Sequence, residues 1–132
     1  MWISSVYKKD IHYEVAKKIL QWIDGQSGCI IVSTKLLLAE ISNFLQRKAA
    51  PEVGRNFVDT IIHGENIELY YDGEQYLDET IAIYNRIEQL GYVDSNNVVF
   101  YKLLKCTLLI SFDSNYDGIK GLTRSESIPI EI

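Results

Sequence analysis

The chain has 132 residues, of which 47% are hydrophobic and 23% charged, which fits one ordinary globular domain and is too short for two. The net charge of −5 argues against binding nucleic acid through bulk positive charge, although carboxylates that hold metal ions would themselves add negative charge. The apolar runs are too short to span a bilayer, and the residues after Met1 do not read as a signal peptide. These features predict a cytoplasmic protein without a membrane segment.

Helix and strand patterns alternate along the chain, without an internal repeat or a linker. Helices are indicated by apolar residues at one-turn spacing, and strands by short apolar or β-branched runs. Ser33 or Thr34 can cap the helix that follows it, Pro51 suits the first turn of another helix, and Pro129 restricts the last strand to a sheet edge. In chain order the predicted elements are helix 10–25, strand 29–33, helix 35–49, helix 51–64, strand 66–71, helix 74–91, helix 94–105, strand 106–112 and strand 127–132.

This alternation predicts an α/β fold in a single domain over residues 1–132. Its mostly parallel central sheet would carry helices on both faces. In such sheets ligands bind beyond the carboxyl ends of the strands. The segment "TLLISFD" brings Asp113 to that position, because the apolar run before it reads as a buried strand.

Four acidic residues stand out by position. Glu40 lies on or beside the apolar stripe of its helix, where a carboxylate is costly unless it is paired or coordinates a metal. Asp94 opens a helix, Asp113 ends a strand, and Asp117 follows within about a turn. Each has an ordinary alternative, which stays open: a salt bridge or boundary position for Glu40, an N-cap for Asp94, an Asx turn for Asp113 and a surface position for Asp117.

The order of these acids carries more information than any one of them. Glu40, Asp94 and Asp113 would converge at one edge of a parallel sheet. Hard cations such as Mg²⁺ and Mn²⁺ take carboxylate and water oxygens as ligands. Clustered acids with such a metal can activate water and stabilise an in-line phosphoryl displacement.

Two long segments, "VSTKLLLAEISNFLQRK" and "GYVDSNNVVFYKLLKCTLLISFDSNYDGIKGL", resemble the PIN-domain family, which includes the VapC-type ribonuclease toxins. That family has a helix with an inward Glu, here Glu40, and an Asp that opens a late helix, here Asp94. A strand then ends in Thr/Ser-Phe-Asp, followed by an aromatic residue and a further Asp, which match "SFDSNYD" with Asp113 and Asp117. The segment "KKDIHYEVAKKIL" is similar to the family's first helical region, so the resemblance covers nearly the whole chain.

The resemblance implies a PIN-like three-layer sandwich that hydrolyses RNA phosphodiesters with one or two Mg²⁺ or Mn²⁺ ions. It further implies a homodimer, and an antitoxin as a partner if the chain is the toxin of a toxin–antitoxin pair. Tyr116 occupies the family's aromatic position and is interpreted as packing rather than stacking on a base, while Ser111 and Asn115 lie close enough in sequence to assist. The implied catalytic acids are Glu40, Asp94 and Asp113, and the implied metal ligands are these three with Asp117.

One departure from the family pattern concerns the amino terminus. Family members begin with a strand that ends in an Asp, which is a main metal ligand, whereas "MWISSVY" looks like the residues that follow that strand. The resemblance therefore predicts a chain that lacks the first strand and its Asp. An upstream start, a natural truncation and completion by a separate chain remain open.

Two other functions are compatible with the sequence. A catalytically inactive PIN fold that binds RNA or protein would explain the departure at the amino terminus. A receiver-type phosphoacceptor domain would also gather acids at strand ends, but it needs a lysine at the end of a late strand and an acidic pair near the amino terminus, and the sequence has neither arrangement.

Overall fold

The computed structural model describes residues 1–71 and 73–128. These residues form two compact units, one over Met1–Tyr70 and one over Tyr71–Ile132. Among the described residues, no helix is both long and apolar enough to cross a membrane. The single domain over residues 1–132 stays a prediction.

The first unit combines helices with a pair of short strands. Strands β1 and β2 pair in parallel, with Ile31 opposite Ile67 and Thr34 opposite Tyr70. Every element after the first helix lies at or within a few residues of its predicted position, while the helix over Trp2–Val6 was not predicted. The elements are α1 (Trp2–Val6), α2 (Tyr13–Asp24), β1 (Ile31–Thr34), α3 (Lys35–Lys48), α4 (Pro51–His63) and β2 (Ile67–Tyr70).

Local sequence signals explain where α3 and α4 begin. The side chain of Thr34 accepts a hydrogen bond from the backbone N–H of Leu37 at 3.2 Å, so Thr34, rather than Ser33, caps α3. Pro51 occupies the first turn of α4, where its missing N–H has no cost. Both predictions about these helix starts are confirmed.

The core of the first unit is an apolar contact between α3 and α4. Ile41 and Leu45 of α3 pack with Phe57 and Ile61 of α4, and all four side chains are buried. The helices approach closely at Gly54, where a Cβ atom would lie 2.9 Å from the backbone oxygen of Ser42. A glycine at this position therefore lets the two backbones meet.

The second unit contains two longer helices and two short strands in its described part. Strands β3 and β4 pair in parallel, with Leu109 opposite Arg124 and Ile110 opposite Ser125. The core gathers Val98, Val99 and Tyr116, among others. The elements are a 3₁₀ turn (Glu74–Tyr76), α5 (Leu77–Arg86), α6 (Tyr92–Leu103), β3 (Leu109–Ile110), a second 3₁₀ turn (Ser114–Tyr116) and β4 (Arg124–Ser125).

Two predicted boundaries in this unit are wrong. The helix predicted over 74–91 ends at Arg86, because Ile87 turns into an extended conformation and packs against the core, with Leu90 buried beyond it. The strand predicted over 106–112 shortens to Leu109–Ile110. A strand pairing also lies at Arg124–Ser125, where the sequence predicts no strand. Of the strand predicted over 127–132, residues 129–132 lie outside the described part, so that strand stays a prediction.

The fold class is confirmed at its coarser level. Both units mix helices with parallel strand pairs, as the alternation of patterns predicts. The pairing is seen as two separate two-stranded sheets among the described residues. A single central sheet covered on both faces stays a prediction.

Candidate functional site

Asp94 lies in the first turn of α6, but it is not the N-cap. The helix begins at Tyr92, and Gly91 is the N-cap. The carboxylate oxygen Oδ2 of Asp94 accepts a hydrogen bond from the backbone N–H of Gly91 at 3.2 Å. An acid three positions after the N-cap reaches back to the helix start in this way and also complements the helix dipole. The prediction that Asp94 is the N-cap is therefore wrong, because the N-cap lies three residues earlier. The acid still stabilises the start of the helix.

The other oxygen of Asp94 is held by a buried tyrosine. The hydroxyl of Tyr116 donates to Oδ1 of Asp94 at 2.8 Å, and Nδ2 of Asn97 donates to the same hydroxyl oxygen at 3.2 Å. Tyr116 is only 4% exposed and belongs to the core of the second unit, which confirms that it packs. No local sequence pattern indicates that its hydroxyl reaches Asp94.

The phenol of Tyr116 stays protonated at neutral pH. Burial raises its pKa most, because the charged phenolate would lose its hydration. The hydrogen bond from Asn97 opposes this change, while the negative charges of Asp94 and Asp113 raise the pKa further. Tyr116 is therefore a hydrogen-bond donor to Asp94.

Asp113 follows β3 and caps the second 3₁₀ turn. Its oxygen Oδ1 accepts from the backbone N–H of Asn115 at 2.9 Å, which is the Asx-type turn that the sequence allows. Its own backbone N–H donates to Oγ of Ser111 at 3.1 Å. The side chain is half-buried. Together with Asp94 it gives the second unit two carboxylates near one buried hydroxyl.

Asp117 is exposed and paired with an arginine. Its two carboxylate oxygens accept from Nε and Nη2 of Arg124, at 2.7 and 3.1 Å. These hydrogen bonds hold the pKa of Asp117 below its ordinary value. Arg124 also donates from Nη1 to the backbone oxygen of Ser111 and to Glu126, each at 2.9 Å. The role of Asp117 as a metal ligand stays a prediction.

The Asp117–Arg124 pair could not be found from the sequence. The two residues are seven positions apart and do not share a helix. Gly118 and Gly121, both with positive φ, turn the chain between them. The pairing therefore depends on a loop conformation that no local spacing rule describes.

Glu40 lies on α3 in the first unit, and its side chain is exposed. The expectation that it faces inward is wrong, since the buried stripe of α3 consists of Ile41 and Leu45. Helical geometry places Glu40 beside this stripe, where its carboxylate reaches solvent while the neighbouring residue enters the core. Its role as a catalytic acid and metal ligand stays a prediction.

The donor atoms of the second unit suit a hard cation. Asp94 and Asp113 offer carboxylate oxygens, and Mg²⁺ is commonly held by one or two carboxylates while water completes its shell. Within the described parts of the chain, no group of three or more His, Cys, Asp or Glu side chains is placed to hold a metal ion. The carboxylate oxygens of Asp94 and Asp113 are of the donor type that Mg²⁺ and Mn²⁺ take.

No protein-family model matches the sequence, and no curated protein matches it. A solved structure does resemble it: the crystal structure of VapC20 from Mycobacterium tuberculosis, a toxin that cleaves the sarcin–ricin loop. The TM-score is 0.76, and the match covers 86% of this chain and 85% of that chain at 12% sequence identity. At this identity the similarity establishes the fold, which is PIN-like, as the sequence resemblance implies.

Proposed function

We propose that the chain is a metal-dependent endoribonuclease of the PIN type that hydrolyses RNA phosphodiester bonds. The observation that carries this proposal is that Asp94 accepts from the buried hydroxyl of Tyr116, while Asp113 caps the turn that contains that tyrosine. The fold in which this pair occurs is similar to that of an RNA-cleaving toxin. The proposed fold is the three-layer sandwich that the resemblance implies, in which helices cover both faces of a mostly parallel central sheet.

The chain's own residues would hold the ion and orient its ligands. Asp94 and Asp113 would bind Mg²⁺ or Mn²⁺, with Glu40 and Asp117 as the further ligands that the family resemblance implies. When bound, such an ion supplies positive charge to the phosphodiester and lowers the pKa of water. Each carboxylate has about four lone-pair sites, so the hydrogen bonds seen at Asp94 and Asp113 leave capacity for a cation.

The proposal extends to partners and location. RNA is the substrate class, and an antitoxin protein would be the partner if the chain acts as a toxin. A homodimer and a cytoplasmic location complete the proposal, and light scattering of the purified chain would test the dimer.

A cleavage assay tests the proposal directly. A generic RNA pool is incubated with the chain in Mn²⁺, with EDTA as the metal-free comparison. Asp94→Asn and Asp113→Asn should each reduce cleavage by about 100-fold or more, since loss of an outer-shell partner alone typically costs 10–100-fold. Asp24→Asn is the matched control, because Asp24 is an exposed acid at the end of α2 in the first unit. Equal cleavage by wild type and both site variants would refute the proposal.

A second candidate function is a catalytically inactive PIN fold that binds RNA or protein. The observation that favours it is local pairing of the acids in the second unit. Asp94 accepts hydrogen bonds from Gly91 and Tyr116. Asp113 accepts one from Asn115, and Asp117 accepts from Arg124. RNA binding without cleavage in Mn²⁺, unchanged by Asp113→Asn, would favour this function over the nuclease.

A further inference from the structure

Tyr116 is anchored in the core of the second unit by its ring. It is 4% exposed and packs in one cluster with Val98, Val99 and Ile119. The ring belongs to the short 3₁₀ turn that Asp113 caps. A phenylalanine would fill the same apolar space, so packing alone does not explain the hydroxyl.

The direction of the hydroxyl proton is fixed by its surroundings. Nδ2 of Asn97 donates to the hydroxyl oxygen at 3.2 Å, and the hydroxyl itself donates to Oδ1 of Asp94 at 2.8 Å. Asn97 and Asp94 are three residues apart on α6 and therefore lie on the same side of the helix. The tyrosine bridges one turn of α6, accepting at one end of the turn and donating at the other.

Asp94 is thus restrained at both oxygens. Oδ1 accepts from Tyr116, and Oδ2 accepts from the N–H of Gly91 at 3.2 Å. The χ2 angle of an aspartate normally has a broad distribution. Two donors, one at each oxygen, restrict this angle. A carboxylate with a defined plane presents its remaining lone pairs in a defined direction.

We infer that Tyr116 is a positioning residue, whose hydroxyl fixes the orientation of the Asp94 carboxylate for cation binding. This inference rests on the proposed function. Partners of ligating carboxylates act on the metal through the ligand and not by contact, and their loss typically weakens metal affinity by about 10–100-fold. Tyr116 lies in the turn that Asp113 caps, so its hydroxyl connects Asp94 on α6 with the turn that carries the second carboxylate.

The test is Mn²⁺ binding by the full chain, measured by calorimetry, with Tyr116→Phe against Tyr101→Phe. Tyr101 is a matched control because it lies on α6 and is only 7% exposed. Its replacement by phenylalanine also removes one hydrogen bond, which the hydroxyl accepts from the backbone N–H of Thr123. Tyr116→Phe should weaken Mn²⁺ binding by about 10-fold, while Tyr101→Phe should leave it unchanged. In an Asp94→Asn background, Tyr116→Phe should cause no further loss, because the hydroxyl acts through Asp94.

Each outcome decides the inference. Unchanged Mn²⁺ binding by Tyr116→Phe, with weakened binding by Asp94→Asn and Asp113→Asn, overturns the inference and leaves the proposed function standing. Equal weakening by both tyrosine variants also overturns it, since that is a general effect on the fold. Unchanged binding by both aspartate variants overturns the proposed function and the inference together.

A second variant covers the case in which Tyr116→Phe does not fold. Asn97→Ala keeps the tyrosine but removes the donor that directs its hydroxyl toward Asp94. It should weaken Mn²⁺ binding in the same direction and by less than Tyr116→Phe. Wild-type affinity in folded Asn97→Ala would then overturn the inference.

Discussion

The two units bury different kinds of side chain at their centres. In the first unit the most deeply buried large side chains are apolar and include Leu45 and Ile61. In the second unit three polar residues, Thr80, Ser95 and Asn96, are each 0% exposed. Apolar packing depends on volume and tolerates small shifts, whereas buried polar groups require partners in defined directions. The unit that contains Asp94 and Asp113 is therefore the one whose core depends on hydrogen bonds in defined directions.

The first turns of α6 show what this directionality does. Nδ2 of Asn96 donates to Oγ1 of Thr80 on α5 at 3.2 Å. The hydroxyl Oγ of Ser95 donates to the backbone oxygen of Gly91 at 2.8 Å. The carboxylate of Asp94 accepts a hydrogen bond from the hydroxyl of Tyr116. Consecutive polar residues thus restrain this segment from several directions. We expect the second unit to be more sensitive to loss of hydrogen bonds, and the first to loss of volume.

The largest effect is expected for Leu45→Ala in the first unit. Leu45 is 0% exposed, and truncating a buried leucine typically costs about 2–5 kcal/mol through lost transfer energy and a cavity. Urea denaturation measures the change in free energy of unfolding. The control is Leu103→Ala at the end of α6, where the side chain is 45% exposed and the expected change is within about 0.5 kcal/mol. Similar losses for the two variants would contradict an apolar core centred on α3 and α4.

Thr80→Val tests the polar core of the second unit at nearly constant volume. The hydroxyl of Thr80 donates to the backbone oxygen of Tyr76 and accepts from Asn96, so its removal leaves buried groups unpaired. The expected cost is about 2 kcal/mol. Thr60→Val is the matched control, because Thr60 makes the same bond to Asn56 four residues earlier but is exposed. Equal costs would show that burial of the network does not matter.

Gly54→Ala sets helix propensity against backbone approach in the first unit. Alanine is favoured over glycine in a helix by about 1 kcal/mol. Its Cβ, however, would lie 2.9 Å from the oxygen of Ser42 and 3.3 Å from the nitrogen of Gln46, so α3 and α4 must separate. Overpacking typically costs about 1–3 kcal/mol, which leaves a net loss of roughly 1 kcal/mol in urea denaturation. A gain in stability, like that expected for exposed Asn56→Ala, would show that the helices separate freely.

Much of this fold follows from local signals. The start of α3 at Thr34 and of α4 at Pro51 depends on capping chemistry within a few residues, so the sequence predicts both. The end of α5 depends on the core contacts of Ile87 and Leu90, which override the helical periodicity that continues to Gly91. Boundaries set by tertiary contacts are the ones that the sequence placed wrongly.

The candidate site divides in the same way. The positions of Asp94 at a helix start and Asp113 after a strand can be predicted, because each depends on its own element. The contact of Asp94 with Tyr116, 22 residues away, depends on how α6 packs against the second 3₁₀ turn. The sequence predicts an inward Glu40 because the apolar stripe of a helix has no sharp edge in sequence. A difference of one position decides whether a side chain enters the core, as Ile41 does, or reaches solvent, as Glu40 does.

The smallest expected effect is the pH dependence of the Asp117–Arg124 pair, a surface contact of the polar second unit. Since Arg124 lowers the pKa of Asp117 in the folded chain, the pair contributes stability above the ordinary carboxyl pKa of about 4. That contribution is lost as the pH falls through the lower folded-state pKa. The difference in Tm between wild type and Asp117→Asn, measured in EDTA, should therefore be largest near neutral pH and shrink at acidic pH. A constant difference for Asp117→Asn across this range would mean that the variant acts through the loop conformation and not through the charge of Asp117.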